Sequence, residues 1–322
     1  MKKIVVTGAL GHIGSYLIRE LPGMFPETEI WMIDNLSTER YASLFNLPEN
    51  GKYRFFEEDI TTADLERRFD GADAVIHLAA VTNAAESFKD PEKVESVNVN
   101  GTERVAEACI RTDSRLIFAS TTSVYGKSES LVDENCPVDH LKPQSPYAES
   151  KIVGERHLRE LASFENIRFV ICRFGTIYGV SPGMRFHTII NKFCWLAAQG
   201  KMLTVWKTAW DQVRPYLDLQ DAGRALEFIL RKDLFNQEVY NIVTLNSTPK
   251  DIVACISKEV PEVHFEMVQS EIMNQLSYHV SNKKFTDLGF HFTGDLEGGI
   301  SETLDWLKNS QSLGSGLLKK DL

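Results

Sequence analysis

The chain has 322 residues, 43% of them hydrophobic and 25% charged, which suits one large or two ordinary globular domains. Its formal charge of −10, from 45 acids against 35 bases, excludes a general nucleic-acid binder, whose footprint is basic. No apolar run reaches membrane-spanning length.

The five cysteines, Cys109, Cys136, Cys172, Cys194 and Cys255, are scattered, with neither CxxC nor metal-ligand spacing, and the eight histidines form no HExxH. No metal site is expected. Unclustered thiols of odd number read as free cysteines in a reducing cytoplasm. Lys2-Lys3 leads straight into an apolar run and a glycine-rich turn, so no signal peptide is expected.

The β-branched run Ile4-Val5-Val6 predicts a buried strand. Thr7-Gly8-Ala9-Leu10-Gly11-His12-Ile13-Gly14 follows, and Ile13, Leu17, Ile18 and Leu21 recur at helical spacing. Strand, glycine turn and helix are the setting of a dinucleotide fingerprint: glycines admit a phosphate close to the backbone, and the helix N-terminus offers free N–H groups. A second strand, Ile30 to Ile33, ends at Asp34, 20 residues past Gly14, where an acid can bond ribose hydroxyls.

The alternation continues. Strands are expected at 53–57, 74–78, 115–119 and 168–172, and helices at 62–69, 91–111 and 146–161. Repeated strand–helix units predict an α/β fold, a Rossmann-type doubly wound parallel sheet. After Arg173 the rhythm changes. A helix around 184–198 and a strand at 203–205 are followed by 216–218, the helix 221–231 and the strand 238–243, with short helices and a weak strand near His264-Phe265 beyond them. The expected organisation is an NAD-binding domain over 1–174, to which 215–243 returns, and a smaller, partly interleaved α/β substrate domain over 175–322. The tail 309–322 is expected to be mobile.

Tyr147-Ala-Glu-Ser-Lys151 places a phenol and an ammonium at i and i+4, on one helical face. Ser145 and Pro146 are suited to cap and begin that helix. A cation beside a phenol favours the phenolate, a usable general base.

Read in order, TGxxGxxG, Asp34, Asp59-Ile60, His77-Leu78-Ala79-Ala80, Asn98-Val99-Asn100-Gly101-Thr102, the Ser/Thr run before Val124-Tyr125-Gly126, Tyr147xxxLys151 and Arg173xxxxTyr178-Gly179 resemble an extended short-chain dehydrogenase/reductase. The similar family is that of the NAD-dependent epimerases and dehydratases, UDP-glucose 4-epimerase-like. Arg214 to Ala222 resembles its RDFIHVDDVA segment, and 288–306 its C-terminal segment.

The resemblance implies that Gly8, Gly11 and Gly14, with His12 and Ile13, wrap the pyrophosphate of NAD. Asp34, with Asn35, takes the adenosine ribose, and Asp59 and Ile60 flank the adenine. Leu78, Ala79, Ala80 and Asn98 complete the cofactor site. Lys151 bonds the nicotinamide ribose and lowers the pKa of Tyr147, and Thr121 bonds the reacting oxygen. Thr122 and Ser123 stand where sugar 4,6-dehydratases carry Asp-Glu, and a hydroxyl cannot replace a carboxyl acid or base.

On that resemblance the expected function is 4-epimerisation of a nucleotide-diphosphate sugar by transient hydride transfer. Thr122, Thr176, Arg185, Asn191, Val205 and Arg214 are the expected substrate contacts; Arg214 matches the family's diphosphate arginine. A homodimer is implied through helices 91–111 and 146–161, with Ser87, Val94 and Val105 as candidate positions. Two other readings stay open: a net reductase or dehydrogenase of a nucleotide-linked keto-sugar, and a catalytically idle NAD-binding sensor or scaffold.

Overall fold

The computed structural model of the protein describes residues 1–128, 131–269 and 277–314. Lys3–Thr7 is buried at every position, as an apolar β-branched run covered on both faces should be. It lies within a seven-stranded sheet whose order is Val239–Ile242, Phe169–Phe174, Arg115–Thr121, Ala74–His77, Lys3–Thr7, Glu29–Asp34, Lys52–Glu57. All six pairings are parallel.

One face packs against helices His12–Met24 and Leu219–Lys232 through Leu17, Ile18, Leu226 and Ile229. The other packs against Gly101–Arg111 and Pro146–Phe164 through Val105, Cys109 and Leu158. This is the expected doubly wound architecture. A separate core, with Ile190, Phe193, Ile256 and Leu304, joins helices Ile189–Ala198, Pro249–Glu259 and Leu296–Gly314. Among the described residues no helix is long and apolar enough to cross a membrane.

The structure departs from the expected elements where tertiary pairing decides. Arg214–Asp218 does not return to the main sheet. It pairs parallel with Thr176–Tyr178 and antiparallel with Leu245–Ser247 in a three-stranded sheet. Gly175 permits the exit from the main sheet, since a Cβ there would lie 2.9 Å from the Tyr216 carbonyl carbon. The following helix and Val239–Ile242 do return.

The helix expected over 91–111 is interrupted by a π-helical stretch, Glu95–Asn100. The one expected from Met184 begins at Ile189, leaving 179–188 as a loop. Residues 309–314, expected in a mobile tail, continue the last helix; 315–322 lie outside the described residues.

Candidate active site

The glycine turn is defined by contacts a side chain would block. Gly8 has a φ of +67°, and a Cβ on it would lie 2.6 Å from the Ala79 nitrogen. A Cβ on Gly14 would lie 2.4 Å from the Gly8 oxygen. The helix that begins at His12 is thereby drawn onto the end of the first strand. Its N-cap, Gly11, supplies no side-chain cap, so first-turn N–H groups are left for a ligand. The half-buried Ile13 belongs to that turn. So does His12, but its ring is buried and bonds the Gly179 oxygen at 2.9 Å. Burial, then the charge of Arg185, lowers the imidazole to about 3, so only the backbone of His12 is offered to a ligand.

The Asp34 carboxylate is fixed beside the turn, accepting the Leu10 and Leu36 N–H groups at 3.0 Å each. Asn35 donates to Asp59 at 2.7 Å, and Asp59 also receives Thr61 N–H at 2.8 Å. Ile60 turns its side chain into the core, where a Cβ on Gly101 would meet it at 2.7 Å. Leu78 N–H donates to the Thr7 oxygen at 3.0 Å and Ala79 N–H to the Thr7 hydroxyl at 3.4 Å, leaving Leu78, Ala79 and Ala80 half-buried. Asn98 is fully buried, bonding both N–H and oxygen of Val81 and, at 2.9 Å, Ser150. Both amide protons are spent, so Asn98 ties the loop after Ala74–His77 to the Tyr/Lys helix. An uncapped helix terminus over a glycine cradle, with a fixed carboxylate at the next strand end, fits a dinucleotide.

Ser145 caps the Tyr/Lys helix, accepting the Ala148 N–H at 3.2 Å, and Pro146 occupies its first turn. Tyr147 is half-buried and Lys151 buried. Thr121 neighbours the Tyr147 phenol, and its hydroxyl donates to the Ser123 hydroxyl at 3.2 Å and accepts Ser123 N–H at 3.1 Å. Burial raises the Tyr147 phenol above its ordinary value; the charge of Arg185 and the Thr121 hydroxyl oppose the rise. The Lys151 ammonium lies 4.8 Å from the centre of the Phe118 ring, and burial brings it down to about 8.

Arg185 is carried by the loop that stands where helix was expected. Ser181 and Gly183 fasten this loop to the first helix: the Ser181 hydroxyl donates to the His12 oxygen and Gly183 N–H to the Ser15 hydroxyl, both at 2.9 Å. Arg185 Nη1 donates to the Thr82 hydroxyl at 2.8 Å, and its buried Nε has no partner among the described residues. Asn191 is fully buried, bonding Gly179 N–H at 3.3 Å and the Arg185 oxygen at 3.1 Å. It shapes the loop and does not reach the cleft.

Tyr278, absent from the sequence reading, completes the cleft. It is buried beside Thr122 and Ser123, and burial raises its phenol above the ordinary value. Thr122 donates to the Phe174 oxygen at 3.2 Å. Tyr278 is more than 150 residues from this pair, and no local spacing announces it. Arg214, half-buried, acts on Tyr278 and on Tyr216, whose buried hydroxyl has no partner among the described residues. Thr176 is half-buried opposite Tyr216. Val205 is buried in the C-terminal core, whereas its neighbour Trp206 is exposed. The strand's alternation therefore removes the Val205 side chain from the expected substrate contacts.

The model of the NAD dependent epimerase/dehydratase family matches residues 4–243. The chain belongs to that family. NAD is the family's cofactor, and the glycine turn and Asp34 are built to receive it. A trifunctional UDP-glucose 4,6-dehydratase/UDP-4-keto-6-deoxy-D-glucose 3,5-epimerase/UDP-4-keto-L-rhamnose-reductase of Arabidopsis thaliana is 30% identical over 319 residues, covering 95% of this chain and 47% of its own length. The chain thus spans about half of that relative. An uncharacterised UDP-glucose epimerase of Bacillus subtilis is 32% identical over 248 residues, covering 74% of this chain and 76% of its own. Among solved structures, a tyrosine-to-phenylalanine mutant of the UDP-glucuronic acid 4-epimerase of Bacillus cereus, in complex with UDP-4-deoxy-4-fluoro-glucuronic acid and NAD, has a TM-score of 0.86 and 27% identity. It covers 96% of this chain and 99% of its own.

Proposed function

We propose that this member of the family is a nucleotide-sugar 4-epimerase. The observation that carries the reading is the surroundings of Tyr147: Thr121 and the charge of Arg185 act on the phenol, and the hydroxyls of Thr122, Ser123 and Tyr278 stand close by. Thr122 and Ser123 stand where the resemblance puts the dehydratase carboxyls, so a sugar can be oxidised here without an acid and base for removing water.

Bound NAD supplies the acceptor, and later the donor, of a hydride at sugar C4. Thr121 orients the C4 oxygen, Tyr147 takes its proton, and Lys151 holds the nicotinamide ribose. Tyr147 would return the proton to the same oxygen when C4 is reduced again from the opposite face of the ring. Arg214 grips the diphosphate as a fork on paired oxygens; Arg185 and Thr176 flank the sugar. The Bacillus cereus neighbour supports this reading by its complex with a UDP-sugar and NAD.

The protein works in the cytoplasm, in keeping with five free cysteines, and as a homodimer through helices Gly101–Arg111 and Pro146–Phe164. Ser87, Val94 and Val105 are buried within the protomer, so that interface uses other residues.

The test is incubation with UDP-, dTDP-, GDP- and CDP-sugars, followed by separation of C4 epimers. Epimer formation with no net NADH is expected. Stoichiometric cofactor consumption would instead select the reductase reading, which the reductase activity named for the Arabidopsis relative favours. Light scattering checks the dimer.

A further inference from the structure

Behind the Tyr/Lys pair lies a second pair of charges. Glu155 follows Lys151 by four residues, so Tyr147, Lys151 and Glu155 share one face of the helix. Glu155 is buried and receives Arg173 through both oxygens, Nε at 2.9 Å and Nη2 at 2.6 Å. The Ser120 hydroxyl, next to Thr121, donates to the same carboxylate. Arg173 is equally buried, 4.9 Å from the centre of the Tyr125 ring, and the Tyr125 hydroxyl donates to Asn241 at 2.9 Å.

A buried ion pair is a poor way to add stability, because desolvation offsets the attraction and apolar side chains of similar volume serve as well. What this pair does have is an orientation: its negative member stands one helical turn from Lys151. The groups facing Lys151 are few. Phe118 presents its ring. His77 is fully buried between the hydroxyls of Thr7 and Thr102, and burial keeps it neutral. From its own helix come Tyr147, whose phenol burial raises above its ordinary value, and Glu155. Among the described residues Glu155 is the anion that opposes the effect of burial on Lys151.

We propose that Glu155 is a positioning residue: fixed by Arg173 and Ser120, its carboxylate is the counter-charge that keeps Lys151 an ammonium at the cofactor cleft. The proposal rests on the reading of Lys151 as a ribose ligand, and its test separates the two.

The test measures NAD dissociation constants between pH 6.5 and 9.5 for four proteins: wild type, Glu155→Gln, Glu155→Gln/Arg173→Met and Lys151→Met. Affinity of the wild type falls as pH rises through about 8, where Lys151 loses its proton. In both Glu155 variants the fall begins about one pH unit lower, leaving binding about twofold weaker near pH 7 and about tenfold weaker by pH 9. Lys151→Met binds weakly with no fall in this range. The double variant is needed because Glu155→Gln alone strands a buried guanidinium; its fold is checked by circular dichroism and melting. A folded double variant with the wild-type profile, when Lys151→Met has lost that profile, overturns the role of Glu155 alone. A Lys151→Met protein that keeps the wild-type profile overturns the reading of Lys151 and the proposal with it.

Discussion

The two ends of the cleft are built by different means. At the cofactor end the parts are backbone, Gly8, Gly11 and Gly14 and the first turn of a helix, with one side chain, the oriented carboxylate of Asp34. At the substrate end they are side chains from distant segments: Arg185 from a loop, Arg214 from a small separate sheet, and Tyr278 from just before the short strand His279–Val280. The first kind of site is encoded by spacing within some thirty residues. The second depends on which way each side chain faces after the whole chain has packed.

The comparison is broken most strongly at the residue where the two ends meet. Tyr147→Phe removes the proton acceptor while leaving the ring in place. Turnover should fall by about 10²- to 10⁴-fold, with NAD affinity within a few-fold of the wild type. A mutant that epimerises normally would falsify the assignment of the base.

Gly8→Ala tests the backbone end. A left-handed φ and a Cβ 2.6 Å from the Ala79 nitrogen together cost about 2–3 kcal/mol. Chemical denaturation should show that loss, and titration with NAD should show affinity reduced by tenfold or more, about 1.4 kcal/mol. Unchanged NAD binding in a folded variant would mean that the turn does not approach the cofactor.

These two changes strike what was most legible in the sequence. The glycine turn and the Tyr–Lys spacing are local, so their residues land where expected. Asn98 and Asn191 carry the right chemistry, yet their amides are consumed in holding Val81 and the 179–188 loop. A polar side chain looks the same in sequence whether it will bond a ligand or a buried backbone group. Nor could spacing reveal that Arg185 acts on Tyr147, because the loop that carries Arg185 is placed by its bonds to His12 and Ser15. The return of 214–218 to the main sheet was misread for a related reason: a strand's partner is chosen by packing, here at Gly175.

Arg185→Gln sharpens the contrast. A cation near a phenol favours the phenolate, so its removal raises the Tyr147 pKa further. If deprotonation limits turnover, the rising limb of the pH–rate profile should move to higher pH by about one unit, with rates below that limb reduced about tenfold. KM for the nucleotide sugar should rise as well if Arg185 flanks the sugar as proposed. A profile that stays put while KM rises would make Arg185 a binding residue alone.

The smallest effect should come from Val205, where strand alternation decides. Its side chain faces the C-terminal core and that of Trp206 faces out. Val205→Ala should therefore cost about 1–2.5 kcal/mol of stability, seen as a fall in Tm of about 2–5 °C. KM for the sugar nucleotide should remain within about twofold, since a side chain that does not touch the ligand cannot take binding energy from it directly. Trp206→Ala is the control, since an exposed ring contributes little to the core and its loss should leave Tm nearly unchanged. If Val205→Ala raises KM and spares Tm, the strand presents its other face to the cleft, and the substrate end was more legible in the sequence than the packing of this core implies.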